Sequence, residues 1–337
     1  MTRRNLDSDL WVMTTYFNLA GWSSRLENYR AFRRALRSPL LTVEWNPGAK
    51  YQLGGGDADL LLQIAGGDAM WQKERLLGRG LAALPAHVRY VAWVDCDVIF
   101  ADPAWHENTR RLLEHHPVVQ PYRRAVYLDE EVTRRVVEGA AIETIPQDGA
   151  FSRPSFLDVF ERLGDDITRV DLGRRFVPAA GGEGRYNFMD RPAYGHAWAA
   201  QRDVIRRIGF YDRCVVGAGD LLFDYAIIGH SEELIANHRS VGWDFYGDSA
   251  SYREWARTAL SICRGRTRCG EGTLLHLFHG SLDDRQYKSR IDGLLPFRLD
   301  LDQDIVAAPG EPWSWRRRET ELSGYFLSYL RKRREDG

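Results

Sequence analysis

The chain has 337 residues, of which 44% are apolar and 28% charged, and its formal net charge is −1. A charge so close to zero gives no general attraction for polyanions, so we expect no nucleic-acid partner. No apolar run approaches the length of a membrane span, and residues 1–9 lack the apolar core of a secretory signal. The four cysteines show neither metal-site nor disulfide spacing, so we expect a reducing, cytoplasmic location.

Strands alternate with helices through the first third of the chain. Apolar runs rich in β-branched and aromatic residues predict strands at 10–17, 40–45, 58–64 and 90–94. Apolar residues at helical spacing predict helices at 23–37, 70–84 and 104–115. This alternation predicts an α/β fold with a mixed, mostly parallel central sheet, flanked by helices in a single compact domain.

The rest of the chain is less regular. Further strands are predicted at 118–122 and 273–278, and further helices at 130–138, 154–163 and 221–228. The glycine-containing stretch 179–186 either gates a site or simply connects elements at the surface. From Trp313 onward the chain is basic and aromatic, and this tail could rest on the inner face of an anionic membrane. A docked helix with a solvated end is the alternative.

Two acidic residues follow the predicted strand at 90–94. Asp95 and Asp97 are separated by one residue, so on an extended chain their side chains point to the same side. They lie at the carboxyl end of a strand, where α/β sheets bind ligands, and adjacent carboxylates favour a cation between them. Oxygen ligands suit Mg²⁺ or Mn²⁺. Capping of the next helix is the alternative, but Asp102 and Pro103 already provide that helix start.

Four segments, taken in their order along the chain, resemble a metal-dependent GT-A glycosyltransferase with its Asp-x-Asp motif. They are Thr15-Tyr16-Phe17-Asn18, Asp95-Cys96-Asp97, Gly217-Ala218-Gly219-Asp220 and His276-Leu277-Phe278-His279. The similarity is greatest to β-1,4-galactosyltransferase-like enzymes. It implies transfer of a hexose or related sugar from a nucleotide-diphosphate donor, expected to be UDP-linked, to a hydroxyl of a carbohydrate or lipid-linked saccharide.

The resemblance also implies a division of the chain into functional parts. Residues 1–125 would form the donor-binding half, residues 126–300 the acceptor-binding and catalytic half of the same domain, and residues 301–337 a basic helical tail. A cation bound to the donor would neutralise the negative charge that develops on the diphosphate as the sugar–phosphate bond breaks.

The metal ligands would come from two distant places in the chain. Asp97 is the first choice for a direct ligand, and the resemblance implies that Asp95 contacts the donor ribose, or the metal through water. His276 and His279 are the further candidates, although a histidine is also often structural. On one regular strand these two histidines face opposite sides, so both reach one ion only if the strand ends between them. Otherwise one would bind the ion and the other a phosphate.

Asp220 is the candidate general base. An inverting transfer needs a carboxylate that takes the proton of the acceptor hydroxyl. Gly217 and Gly219 allow a sharp turn there and leave room for a sugar ring. Helix capping is the competing interpretation, because an aspartate at a helix start is common and the helix dipole would weaken it as a base. Asp224, one turn further along, is the fallback.

Donor contacts are expected near the first strand and around the metal ligands. Thr15, Tyr16 and Asn18 would bind the nucleotide, with the tyrosine ring stacked on the base. Arg25, Lys73 and Arg75 could reach the phosphates or the donor sugar, because arginine suits bidentate phosphate contact. Arg285, in the segment 285–287, could close over the diphosphate. Trp71 is either a sugar platform or part of the core.

Two other functions fit parts of the pattern. In a haloacid-dehalogenase-like phosphatase, Asp95 would be the nucleophile, Asp97 the general acid, and Asp220 with Asp224 the last acidic motif. That nucleophile strand usually opens its domain, however, and the two late histidines would have no role. A non-catalytic sugar-binding module would fit the 12% aromatic content but gives no reason for paired carboxylates at a strand end.

Overall fold

The computed structural model describes residues 5–147, 149–174, 176–178, 184–186, 191–243, 249–281, 284–286, 289–317 and 321–336. Its strands are, in chain order, Leu10–Tyr16 (β1), Leu40–Trp45 (β2), Leu60–Ile64 (β3), Tyr90–Val94 (β4), Val98–Phe100 (β5), Val118–Gln120 (β6), Arg124–Tyr127 (β7), Phe151–Pro154 (β8), Phe176–Pro178 (β9), Gly184–Tyr186 (β10), Ala197–Gln201 (β11), Arg268–Cys269 (β12), Thr273–His276 (β13), Ile305–Val306 (β14) and Ser314–Trp315 (β15).

The helices connect and cover these strands. In chain order they are Ser23–Ala35 (α1), Lys73–Ala83 (α2), Trp105–Leu113 (α3), Glu130–Val137 (α4), Phe156–Leu163 (α5), Ile167–Asp171 (α6), Arg202–Ile208 (α7), Gly219–Ile228 (α8), Ser231–Arg239 (α9), Ala250–Cys263 (α10), Ser289–Asp292 (α11), Leu301–Asp304 (α12) and Glu321–Lys332 (α13). The elements predicted in the first third of the chain are all confirmed, with ends shifted by at most a few residues.

Within the described residues, seven strands form the main sheet in the order β12-β6-β11-β4-β1-β2-β3. The four strands β4, β1, β2 and β3 run parallel to one another. β11 runs antiparallel to its two neighbours, β4 and β6. The sheet is therefore mixed and mostly parallel, which confirms the predicted α/β architecture.

Both faces of the main sheet are buried. Along β1, Leu10 and Val12 pack into one apolar cluster, while Trp11 and Met13 pack into another cluster on the opposite face. These four side chains are at most 4% exposed. Because helices cover both sides, the strand reads as a continuous apolar run rather than an alternating one. At roughly 25 cal/mol for each Å² of apolar surface removed from water, this burial is a main source of stability.

A second, four-stranded sheet, β5-β13-β7-β8, brings distant segments to the end of β4. β5 starts directly after Asp97 and pairs antiparallel with β13, with Val98 opposite His276. The backbone N–H of Leu277 donates to the Asp97 carbonyl at 2.8 Å, one step beyond this ladder. The strand predicted at 273–278 thus ends at His276. The pairing holds the segment after β13 against the turn at 95–97.

The segment from Trp313 onward packs into the same core as the first strands. Trp313, Trp315 and Phe326 are at most 9% exposed and belong to the largest apolar cluster. These three aromatic side chains are therefore not available to a membrane surface, and the possible membrane contact has no support. None of the described helices is long and apolar enough to cross a bilayer.

The stretch predicted to gate a site is described only in part. Residues 184–186 pair antiparallel with residues 176–178, so this part is a short two-stranded ribbon. Residues 179–183, and Tyr287 in the segment expected to close over the diphosphate, lie outside the described part of the chain.

Candidate active site

A cavity of about 220 Å³ lies beside the carboxyl ends of β1 and β4. Residues from the end of β1, the starts of α2 and α8, the turn after β4 and the segment after β13 line it. Ligand sites in α/β sheets lie at this edge, outside the carboxyl ends of the strands. The sheet therefore places separate chain segments around one space.

Asp97, His276 and His279 converge in this cavity. The His279 Nε2 atom lies 3.4 Å from Asp97 Oδ2, the His276 Nε2 atom lies 4.0 Å from Asp97 Oδ1, and the two Nε2 atoms are 3.3 Å apart. Candidate ligand atoms of all three residues lie within 4.8 Å of one another. Both histidines reach Asp97 because β13 ends at His276 and the chain then turns.

The chemistry of this group fits a divalent cation. Burial lowers the pKa of His276 and of His279 well below the ordinary value, so both rings are neutral and offer lone pairs. Burial, with the nearby charge of Asp95, raises the pKa of Asp97 to about 6. Asp97 Oδ1 is buried and has no hydrogen-bond partner. Two neutral imidazoles and a carboxylate oxygen without a partner are a donor set for Mn²⁺ or a similar ion.

Asp95 has different partners from Asp97. β4 ends at Val94, so the two aspartates lie in a turn rather than on one face of a strand. The Asp95 carboxylate lies 2.7 Å from Lys73 Nζ, and its backbone N–H donates to the His196 carbonyl at 2.7 Å. Burial raises the pKa of Asp95 above the ordinary value, against the opposing charge of Lys73. The structure thus groups Asp97 with the two histidines, and Asp95 with a lysine.

Lys73 connects Asp95 to Asp220. Its Nζ lies 3.2 and 3.4 Å from the two carboxylate oxygens of Asp220, in the first turn of α8. Burial alone would lower the pKa of Lys73, but Asp220 and Asp95 raise it well above its usual value. The lysine is therefore a permanent cation that restrains both carboxylates.

Two glycines allow the close packing around Asp220. A Cβ added at Gly195 would lie 2.6 Å from Asp220 Oδ2, and one added at Gly219 would lie 2.2 Å from Glu74 Oε1. Burial raises the pKa of Glu74 to about 8, against the opposing effect of Lys73. Glu74 is therefore mostly protonated at neutral pH, and Asp220 has a neutral neighbour there rather than a third carboxylate.

Sequence reasoning missed a polar chain on the other side of Asp95. His196 has a φ of 71° and its Nε2 lies 2.8 Å from the Tyr127 hydroxyl, which accepts a hydrogen bond from Arg153 Nη1 at 3.2 Å. Burial lowers the pKa of His196 well below its ordinary value. All three residues line the cavity. No local pattern marks them, because they come from three separate places in the chain: β7, β8 and the residue just before β11.

The structure sorts the predicted site residues into two groups. Those that line the cavity are Thr15, Arg25, Lys73, Asp95, Asp97, Asp220, His276, His279 and Arg285, together with Trp71. Tyr16, Asn18 and Arg75 do not line it. Asp224 is fully buried one turn behind Asp220, and burial raises its pKa well above the ordinary value, so the fallback base has no access to an acceptor.

The three predicted donor contacts that do not line the cavity have other partners in the structure. Tyr16 is 1% exposed, with its hydroxyl donating to Gln52 at 2.7 Å, so neither face of its ring is open to a base. The Asn18 amide donates to the Trp22 carbonyl at 2.7 Å and so closes a local turn. Arg75 pairs with Asp212 at 2.8 Å and lies over the Trp313 ring. These residues stabilise the scaffold.

Comparison with known proteins gives similarity at the level of solved structures. No family model and no curated protein matches the chain. The catalytic domain of Drosophila beta1,4-galactosyltransferase 7, in complex with xylobiose, matches with 10% identity over 66% of this chain and 61% of that chain, at a TM-score of 0.28. S. aureus TarS matches with 11% identity over 74% of this chain and 70% of the TarS chain, at a TM-score of 0.33.

A mycobacterial protein matches over a larger share, with 13% identity over 92% of this chain and 85% of that chain, at a TM-score of 0.36. The present chain spans less than two thirds of the galactosyltransferase chain. At these identities and TM-scores the similarities assign neither a family nor an activity, so the functional argument depends on the site itself.

Proposed function

We propose that the chain is a metal-dependent glycosyltransferase of the GT-A type, which moves a sugar from a nucleotide-diphosphate donor to a hydroxyl acceptor. One observation carries the proposal. The neutral pair His276 and His279 faces Asp97 in the same cavity in which Lys73 holds Asp220. A cation site and a restrained carboxylate are the two parts that such a transfer needs.

The donor side of the cavity would contain Asp97, His276 and His279 as metal ligands, with Mn²⁺ or Mg²⁺ as the ion. Bound there, a divalent cation supplies a positive charge that stabilises the departing diphosphate. Arg285 lines the same cavity and is 5% exposed, so its guanidinium adds a fixed positive charge in a region with little water. We expect a UDP-linked hexose as the donor and a carbohydrate or lipid-linked saccharide as the acceptor.

Asp220 would accept the proton of the acceptor hydroxyl in an inverting displacement. Lys73 fixes the orientation of the carboxylate at 3.2 Å, and Gly195 leaves the space that it occupies. The neutral Glu74 behind it adds no repulsion to the charged form of Asp220. Asp95, held by Lys73 and by the backbone of the His196 segment, would contact the donor ribose.

Release of nucleotide diphosphate from a panel of nucleotide sugars, with Mn²⁺, with Mg²⁺ and with EDTA, tests the proposal. We expect metal-dependent consumption of one donor, and its loss in Asp97→Asn. Release of phosphate from simple phosphomonoesters, with no consumption of any nucleotide sugar, would favour the phosphatase. Saccharide binding without any turnover would favour the non-catalytic module.

A further inference from the structure

The chain returns to the cavity after α13. Arg333 and Glu335 are 5% and 2% exposed, whereas the neighbouring Lys332 and Arg334 are exposed. The backbone here lies against Gly280, because a Cβ added at that glycine would be 2.9 Å from the Arg333 carbonyl oxygen. Residues 333–336 therefore lie directly beside the segment that carries the two metal-binding histidines.

Two guanidinium groups bind the Glu335 carboxylate. It accepts hydrogen bonds from Arg25 Nε at 2.5 Å and Arg25 Nη2 at 2.8 Å, and it forms an ion pair with Arg333 Nε at 2.7 Å. The Glu335 side chain is 0% exposed and that of Arg25 is 19% exposed. Arginine binds carboxylate and phosphate with the same fork of two N–H donors, so this pocket fits either anion.

The next carboxylate, Asp336, binds the N-terminus of α1. It accepts hydrogen bonds from the backbone N–H groups of Ser23 and Ser24 at 2.9 and 2.8 Å, and from the Ser23 hydroxyl at 2.9 Å. The N-terminus of a helix favours an anion through its free N–H groups and its dipole. Two successive carboxylates thus occupy two adjacent anion positions.

The first of these positions adjoins the proposed catalytic centre through its arginines, and the second lies next to it in the chain. Arg25, Arg285 and Arg333 line the same cavity as Asp97 and His279. A buried ion pair such as Arg25–Glu335 adds little net stability, because the loss of hydration of both ions offsets their attraction. The arrangement is therefore better explained by the binding of an anion in this cavity than by stability of the fold.

We propose that Arg25, Arg333 and the N-terminus of α1 form the diphosphate subsite of the cavity, and that Glu335 and Asp336 occupy it in place of the phosphates. The identity of the ligand rests on the proposed function, whereas the anion site does not. Binding of the diphosphate displaces the two carboxylates, and residues 333–336 close the subsite when it is empty.

Titration calorimetry with inorganic pyrophosphate, without divalent cation, tests the subsite. Glu335→Gln removes the competing charge but keeps a side chain that can bond to Arg25, so binding should tighten by about tenfold or more. Glu321→Gln is the matched control, because it makes the same charge change at an exposed position at the opposite end of α13, a helix about 18 Å long, and should leave the affinity unchanged. Adding Arg25→Gln to Glu335→Gln should remove the gain.

Hydrogen–deuterium exchange of the unmodified protein gives a second readout. Pyrophosphate should accelerate the exchange of the amides at 333–336, because the segment leaves its site. Asp336→Asn, at an exposed residue, should tighten pyrophosphate binding by a smaller factor even if Glu335→Gln does not fold.

Equal affinity of the unmodified protein, Glu335→Gln and Asp336→Asn, or binding without faster exchange at 333–336, would overturn the proposal and make the two carboxylates structural. A protein that binds pyrophosphate as expected, but consumes no nucleotide sugar in any metal, would support the anion subsite and overturn the glycosyltransferase proposal instead.

Discussion

The Nε2 atoms of His276 and His279 lie 3.3 Å apart in the cavity. Two neutral imidazoles at this distance are satisfied either by one N–H···N hydrogen bond or by two lone pairs directed at a cation. The nearby Asp97 Oδ1, which has no hydrogen-bond partner, favours the second arrangement. Substituting a histidine of this pair is therefore the most direct test of the metal site.

His279→Gln should weaken Mn²⁺ binding by at least about tenfold. Loss of a group that only orients a metal ligand already lowers the metal affinity by about that much, and loss of the ligand itself should lower it at least as far. Titration calorimetry with Mn²⁺ measures the effect. His115→Gln, at an exposed histidine after α3, is the control and should bind Mn²⁺ as the unmodified protein does. Equal Mn²⁺ affinity of the two variants would remove the histidine pair from the metal site.

Asp220→Asn should reduce kcat by about 10²–10⁴, because the amide cannot accept a proton, while donor affinity stays nearly unchanged. Asp203→Asn is the control. Asp203 is also an acidic residue in the first turn of a helix, α7, but it is exposed, so the variant should retain full activity. Transfer rates and donor binding are measured separately for each variant. Full transfer activity in Asp220→Asn would eliminate this residue as the base.

Gly195→Ala should lower kcat by about tenfold to a hundredfold, because the new Cβ would lie 2.6 Å from Asp220 Oδ2 and would push the carboxylate out of position. The melting temperature should change much less than the rate. Gly173→Ala is the control, since a Cβ at that position meets nothing within 4 Å. Similar kinetics for the two variants would show that Asp220 tolerates displacement and is not the reacting group.

Glu74 should make the stability of the protein depend on pH. Its pKa is raised from 4.5 to about 8, so between these values the folded protein holds a proton that the unfolded chain releases. The free energy of unfolding should therefore fall as the pH rises through this range, by about 1.4 kcal/mol per pH unit for one proton, and the fall should end above the folded value.

Urea denaturation at about pH 5 and about pH 8 measures this dependence. Glu74→Gln has no titrating group at this position. Compared with that variant, the free energy of unfolding of the unmodified protein should fall by up to a few kcal/mol more over that interval. Glu107→Gln, at an exposed position on α3, should follow the unmodified protein. If the free energy of unfolding changed equally with pH in the unmodified protein and in Glu74→Gln, the pKa of the Glu74 carboxyl would not be raised in the folded protein.

Local patterns were sufficient for the first third of the chain. Each strand and the helix after it form a unit with its own apolar periodicity, so 40–45 and 90–94 were predicted with the observed ends. The sequence left open whether both histidines reach Asp97, because they do so only if the strand ends between them; the strand was predicted at 273–278, and in the structure it ends at His276.

Other features depend on contacts between residues that are distant in sequence. The antiparallel β11 carries the same apolar composition as a parallel strand, so the sequence alone does not predict its direction or the position of His196. Arg25 pairs with Glu335, 310 residues further along the chain, and no periodicity links the two. Arg75 was predicted to reach the donor because its residue type suits phosphate, whereas its ion pair with Asp212, an acid distant in sequence, could not be predicted.

The pairing of β5 with β13 has a consequence for how the protein acquires its site. Side chains alternate along a strand, so a slip of one residue in this ladder would turn His276 away from Asp97. The two strands are far apart in sequence, and such long-range pairings form slowly because a large loop must close first. The ability to bind an ion should therefore arise late during refolding, and it should report whether β5 and β13 have paired in register.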